Sequence, residues 1–174
     1  MANRRASLKA AALGLALTAA AALPASAQSA KAQLKTGDGK TAGLATLTQM
    51  PSGVLIVVAV KGVPAGEHAF HIHAAGKCEP PFTSAGGHFN PGGAKHGMAA
   101  ADGPHAGDMR NLHVPPSGVL AVEVANPAIS LVKGQPTSVF DADGSAVIIH
   151  AGADDYKTDP TGNAGDRIAC GVIE

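Results

Sequence analysis

The chain has no tryptophan, one tyrosine and four phenylalanines, so any core it builds must consist of small and branched aliphatic side chains. Few aromatics also means few platforms for stacking bases, and no run of Lys or Arg supplies phosphate-neutralising charge, so nothing points to nucleic acid as a partner. Only two cysteines occur, Cys78 and Cys170. Neither lies in a CxxC pair, which argues against a thiolate metal cluster. There is no heptad pattern, no internal repeat and no low-complexity tract beyond an alanine-rich start.

That start differs in kind from the rest. Arg4, Arg5 and Lys9 precede an apolar run over residues 10–23, and Ala25-Ser26-Ala27 follows, which are the three regions of a secretory signal. The run is shorter than the ~20 residues that span a bilayer. Residues 1–27 are therefore expected to be removed, leaving a single domain, 28–174, in the periplasm or outside the cell and without a membrane anchor. The remaining 147 residues hold ten basic and thirteen acidic side chains, a net charge of −3. In an oxidising compartment the even cysteine count favours a Cys78–Cys170 disulfide over two separate buried thiols.

From residue 30 onward, short apolar or alternating segments are separated by Gly, Pro, Asp and Asn, the pattern of an all-β domain. Strands are expected over residues 32–36, 42–49, 54–61, 67–73, 119–125, 146–150 and 168–173. Asp38-Gly39 reads as a hairpin turn between the first two, and Asp143-Gly144 as another turn. Residues 74–114 and 151–165 lack apolar periodicity and are expected to form long loops. Loops of that length in a compact domain are usually functional, and something other than a core must hold them.

Histidines supply a means. In the segment GEHAFHIH, His71 and His73 are two apart, so both project from one face of a strand; His68 has the opposite parity and reads as a structural, hydrogen-bonded residue. Within the Gly-rich first loop come His88, His96, His105 and Asp108. Three imidazoles and one carboxylate make a closed tetrahedral shell suited to zinc. His150 ends a strand far along the chain, and with His71, His73 and one shared histidine it would complete an all-imidazole set suited to copper.

The segments GEHAFHIH, SAGGHFNP, KHG, HAGDM and GNAGDRIACGVI occur in the order found in copper/zinc superoxide dismutases, and over nearly the whole of 28–174 the chain resembles that family. The resemblance implies a single antiparallel Greek-key β-barrel or sandwich with two long functional loops. It implies copper on His71, His73, His88 and His150, and zinc on His88, His96, His105 and Asp108, with His88 bridging the two ions. By the same resemblance Cys78 pairs with Cys170, Arg167 guides the anion beside copper, and Asp154 links His71 to His96 from outside the ligand shell. Superoxide would be the substrate, with His88 and Arg167 the catalytic residues.

Two positions depart from the family's usual pattern: Ala74 follows the HxH where many members carry an acid, and Asp166 sets a negative charge beside Arg167. Lys157 is a candidate for steering the substrate, and His113 fits no ligand position. A homodimer is left open, because family members differ in subunit contacts. Three other functions fit the residues less well. A copper or zinc store has no need of an arginine dock, a zinc hydrolase needs an open zinc position, and a blue-copper carrier needs a cysteine ligand.

Overall fold

The computed structural model describes residues 28–174; the expected signal segment lies outside the described residues. These residues form nine strands: β1 (Ser29–Thr36), β2 (Thr41–Met50), β3 (Gly53–Lys61), β4 (Gly66–His68), β5 (Phe70–His73), β6 (Leu112–Val114), β7 (Val119–Asn126), β8 (Ala146–His150) and β9 (Arg167–Val172). One 3-10 turn lies at Thr83–Ala85. Among the described residues no helix is long and apolar enough to cross a membrane.

Seven strands make one antiparallel sheet in the order β5-β8-β9-β1-β2-β3-β7, and β4 pairs with β6 separately. β4 leads into edge strand β5, and β6 leads into the opposite edge strand β7. The short β4–β6 ladder thus joins the two edges and curls the sheet into a barrel, which leaves few strand edges open to other chains. The β3–β4 and β7–β8 connections cross from one side of the sheet to the other, as in a Greek key.

Alternation decides which face is inside. Along β1, Ala30, Ala32 and Leu34 are buried while Ser29, Lys31, Gln33 and Lys35 face solvent; Val54, Ile56, Val58 and Val60 do the same for β3. β8 departs from this pattern, since all five of its residues are buried. Val147 and Ile149 enter the barrel core, whereas Ala146 and Ile148 pack with Phe82, Ala85 and Cys170 in a second cluster beneath the first long loop. As anticipated from the composition, the main core is chiefly Ala, Val, Ile and Leu, with Phe70, Phe89 and Met109 added.

Two expectations about elements need correction. The strand read over 67–73 is two strands, because Ala69 leaves the ladder: its N–H donates to Gly152 O and its carbonyl accepts from His150 N–H. Residues 112–114, read as loop, are strand β6. Three residues are too few to show a period of two.

Cys78 and Cys170 are joined in a disulfide, 92 residues apart in sequence. It ties the first loop to β9, and a loop that long carries about 4–5 kcal/mol of closure entropy in the chain-entropy description. Replacing both cysteines by serine is expected to lower the unfolding free energy of the metal-free protein by about 2–5 kcal/mol, read from urea titrations. An unchanged midpoint would mean that other contacts hold the loop.

Candidate metal centre

The loops reach the barrel along the free edge of β5. Ile72 N–H donates to Gly107 O at 2.9 Å, Phe89 N–H donates to Ile72 O at 2.8 Å, and Ala74 N–H donates to Gly87 O at 2.9 Å. Residues 87–89 and 107–108 therefore continue the sheet beside β5, with His73 opposite His88 and His71 opposite Asp108. On its other edge β5 pairs with β8, and a register shift after Ile149 sets His150 opposite Arg167 of β9. Local β pairing thus gathers residues up to 96 positions apart.

Two groups of four donors result. In one, His71, His73, His88 and His150 offer ligand atoms all within 4.8 Å of one another; in the other, His88, His96, His105 and Asp108 do so. All seven residues are buried. His88 belongs to both groups, with its ring centroid 4.1 Å from that of His71 and 5.0 Å from that of His96.

Hydrogen bonds on the outer side of each ring fix which nitrogen faces inward. His73 Nδ1–H donates to Gly86 O at 2.9 Å, and His150 Nδ1–H donates to Gly165 O at 3.2 Å. Their Nε2 atoms, left as lone pairs in the neutral rings, face each other at 3.3 Å. His71 and His96 donate from Nε2 to the two oxygens of Asp154, at 2.8 and 2.9 Å. The Nδ1 atoms of both rings are buried without a hydrogen-bond partner, as is His88 Nε2. His96 Nδ1 lies 3.0 Å from Asp108 Oδ2, one acceptor against another. Buried acceptors that face one another in this way are costly unless a cation lies between them.

The carboxylates are held as anions. Burial pushes Asp108 up, but the bond from His88, the N–H of Gly97 and the nearby His96 outweigh it and keep the carboxyl well below its ordinary range. Asp154 is likewise held low against burial by His71 and His96. The neighbouring Asp155 faces outward and accepts from Thr158 and Asn163 instead.

Three supporting residues were not singled out from the sequence. Asn111 clasps Asp154 reciprocally: its Nδ2 donates to Asp154 O at 3.0 Å, and its Oδ1 accepts from Asp154 N–H at 2.9 Å. Gly162 has φ 64°, and a Cβ there would run into the Asp154 carboxylate and lie 2.6 Å from His96 Nε2. Asp159 accepts from His96 N–H at 2.7 Å. An isolated Asn, Gly or Asp in a loop carries no periodic signal, so nothing in the sequence marks these positions.

Arg167 is half-buried, and its guanidinium donates to Phe82 O at 2.5 Å and Gly86 O at 2.6 Å. With His73, His88 and His150 it lines an open pocket of about 660 Å³. Burial lowers the Arg167 pKa, but a guanidinium stays charged in any case. Asp166 and Lys157 are exposed, and neither lines this pocket. His68 is buried between the carbonyls of His150 and Pro64, while His113 is exposed beside Glu67.

Residues 41–173 match the family model described as copper/zinc superoxide dismutase. The chain belongs to the copper/zinc superoxide dismutase family. It is 53% identical over 146 residues to superoxide dismutase [Cu-Zn] 2 of Aquifex aeolicus, covering 83% of this chain and 85% of that protein. With superoxide dismutase [Cu-Zn] of Caulobacter vibrioides it shares 46% identity over 169 residues, covering 95% and 97%. The crystal structure of a SOD-like protein from Bacillus subtilis superposes with a TM-score of 0.79 at 41% identity, covering 83% of this chain and 97% of that one.

The donor sets fit this family's metals. Four inward imidazoles suit copper, while three imidazoles and a carboxylate suit zinc. In the metal-free protein the same burial makes the rings vulnerable to acid. Burial, with smaller contributions from neighbouring charges, lowers His73 to about 2 and His150 to about 3; it lowers His71 and His105 as well. The unfolded chain takes up protons near 6.5, where the folded rings stay neutral, so stability is lost as pH falls from about 6.5 toward 3. Denaturant midpoints of metal-free protein should drop between pH 7 and 4.5, above the carboxylate range. A flat profile there would contradict the burial of neutral imidazoles.

Proposed function

We propose that this protein disproportionates superoxide to dioxygen and hydrogen peroxide, with His71, His73, His88 and His150 holding copper and His88, His96, His105 and Asp108 holding zinc. One observation carries the reading: His88 belongs to both donor groups, and the all-histidine group opens onto a pocket lined by Arg167. Bound copper supplies a one-electron couple that oxidises one superoxide and reduces a second, and zinc supplies a fixed charge with no redox step of its own.

The rest falls to the chain's own side chains. The net charge of 28–174 is negative, so the average field opposes an anionic substrate, and a local positive feature must overcome it. Arg167 is that feature. It is held beside His150 by β-sheet register and aimed by two carbonyl contacts, which use part of its fork and leave its charge facing the pocket. A pocket of about 660 Å³ is far too large to select a diatomic by shape, so selection rests on charge. His88 Nε2, buried and without a hydrogen-bond partner, has one lone pair and so would hold either copper or a proton. When it holds the proton it would pass it to the reduced substrate, and the second proton of hydrogen peroxide comes from water.

The alternative is a metal store on the same fold. Protein loaded with copper and zinc should disproportionate superoxide, and Arg167→Ala should lower the second-order rate at least tenfold at low salt, with metal content unchanged. Arg167→Lys should recover part of the loss. Loaded protein that holds both metals but shows no turnover would support the store.

Export of this chain remains part of the proposal. The basic, apolar and small-residue regions of 1–27 support it, as does the disulfide, which is rare in reducing compartments. Mass spectrometry of protein from the native cell should find a chain beginning at Gln28. Intact Met1 on the mature protein would refute cleavage.

A further inference from the structure

Asp159 stands outside both donor groups, in the second long loop, and its side chain is half exposed. Its Oδ1 nevertheless reaches two members of the second group. It accepts the backbone N–H of His96 at 2.7 Å, and the same oxygen lies 3.9 Å from His105 Nε2, the outer nitrogen of that ring. The inner nitrogen, His105 Nδ1, faces Asp108 Oδ1 at 3.3 Å and His88 Nδ1 at 3.4 Å.

This placement follows a rule seen across the second group. A carboxylate meets each of its histidines: Asp108 Oδ2 accepts from Gly97 N–H and His105 N–H, Asp108 Oδ1 lies 2.8 Å from His88 Nδ1, and Asp154 accepts from the His96 ring. The backbone of His96 and the outer face of His105 remain, and Asp159 meets both. At 3.9 Å Asp159 is too far for a direct hydrogen bond to His105 Nε2, but its negative charge favours the tautomer that keeps the proton on that outer nitrogen, so that the inner lone pair faces the ion. Fixing the His96 backbone as well removes the freedom of the loop on which that ligand is carried. Pro160, the next residue, lines the open pocket together with His105, so the same segment connects the second donor group to the substrate entrance.

We propose that Asp159 is a positioning residue for zinc, acting through His96 and His105 from the second loop. The inference rests on the assignment of zinc to His88, His96, His105 and Asp108. Two variants separate its two contacts. Asp159→Asn keeps a carbonyl oxygen for the His96 N–H but removes the charge facing His105, whereas Asp159→Ala removes both.

Zinc affinity of copper-free protein, measured by competition with a chromophoric chelator, should fall about tenfold in Asp159→Asn and further, toward a hundredfold, in Asp159→Ala. The unfolding midpoint of metal-free Asp159→Asn should match that of the parent protein. The visible bands of the cobalt-substituted protein should shift in both variants. Affinities within twofold of the parent, with unshifted cobalt bands, would overturn the role. So would a loss of affinity matched by an equal loss of metal-free stability, because Asp159 would then be only a loop brace. A parent protein that takes up no zinc at this group would instead overturn the assignment on which the inference rests.

Discussion

Buried acceptors facing buried acceptors are the constraint around which the rest of this structure is arranged. His73 Nε2 faces His150 Nε2, His96 Nδ1 faces Asp108 Oδ2, and His71 Nδ1 and His88 Nε2 have no hydrogen-bond partner. In a buried site between barrel and loops such an arrangement is unfavourable by several kcal/mol unless cations occupy it. Outward-facing hydrogen bonds from the other nitrogens to Gly86, Gly165 and Asp154 make it worse in the metal-free state and better in the loaded one, because they prevent the rings from turning away. The protein has thus placed its cost where metal binding removes it.

The two long loops can be irregular for the same reason. Residues 74–111 and 151–166 contribute little to the main core, yet most of their residues are well placed by contacts that converge on the site. Residues 87–89 and 107–108 extend the sheet, Asp154 joins one loop to β5 and to the other loop, and the disulfide fastens the first loop to β9. Arg167 adds a further tie, since the carbonyls it contacts, Phe82 and Gly86, flank the 3-10 turn of the disulfide-bearing loop. Substrate docking and loop architecture therefore share one side chain.

Much of the barrel was legible because strands with one solvated face announce themselves by alternation, as β1 and β3 do. The split at Ala69 was not, because it depends on hydrogen bonds to Gly152 and His150, residues that no local pattern in GEHAFHIH refers to. β6 was missed for want of length. At the site, the types of donor and their order were readable, since histidine two apart on a strand and an acid three after a histidine are chemical signals in themselves. Asn111, Asp159 and Gly162 were not readable: Asn111 and Asp159 act through partners more than forty residues away, and Gly162 matters only because the folded loop brings the Asp154 carboxylate and the distant His96 ring against it.

The amino-acid order alone was enough to settle an all-β chain with a light aliphatic interior, a supply of nitrogen and carboxylate donors, and a family. Those are properties of composition, period and motif, which one strand or one loop can express by itself. Which nitrogen of each ring faces inward, that His88 is shared between two donor groups, and that Arg167 stands opposite His150 were decided by the closed barrel. Such facts depend on ladder register and on outer hydrogen bonds between distant segments, and these exist only once the chain has folded onto itself.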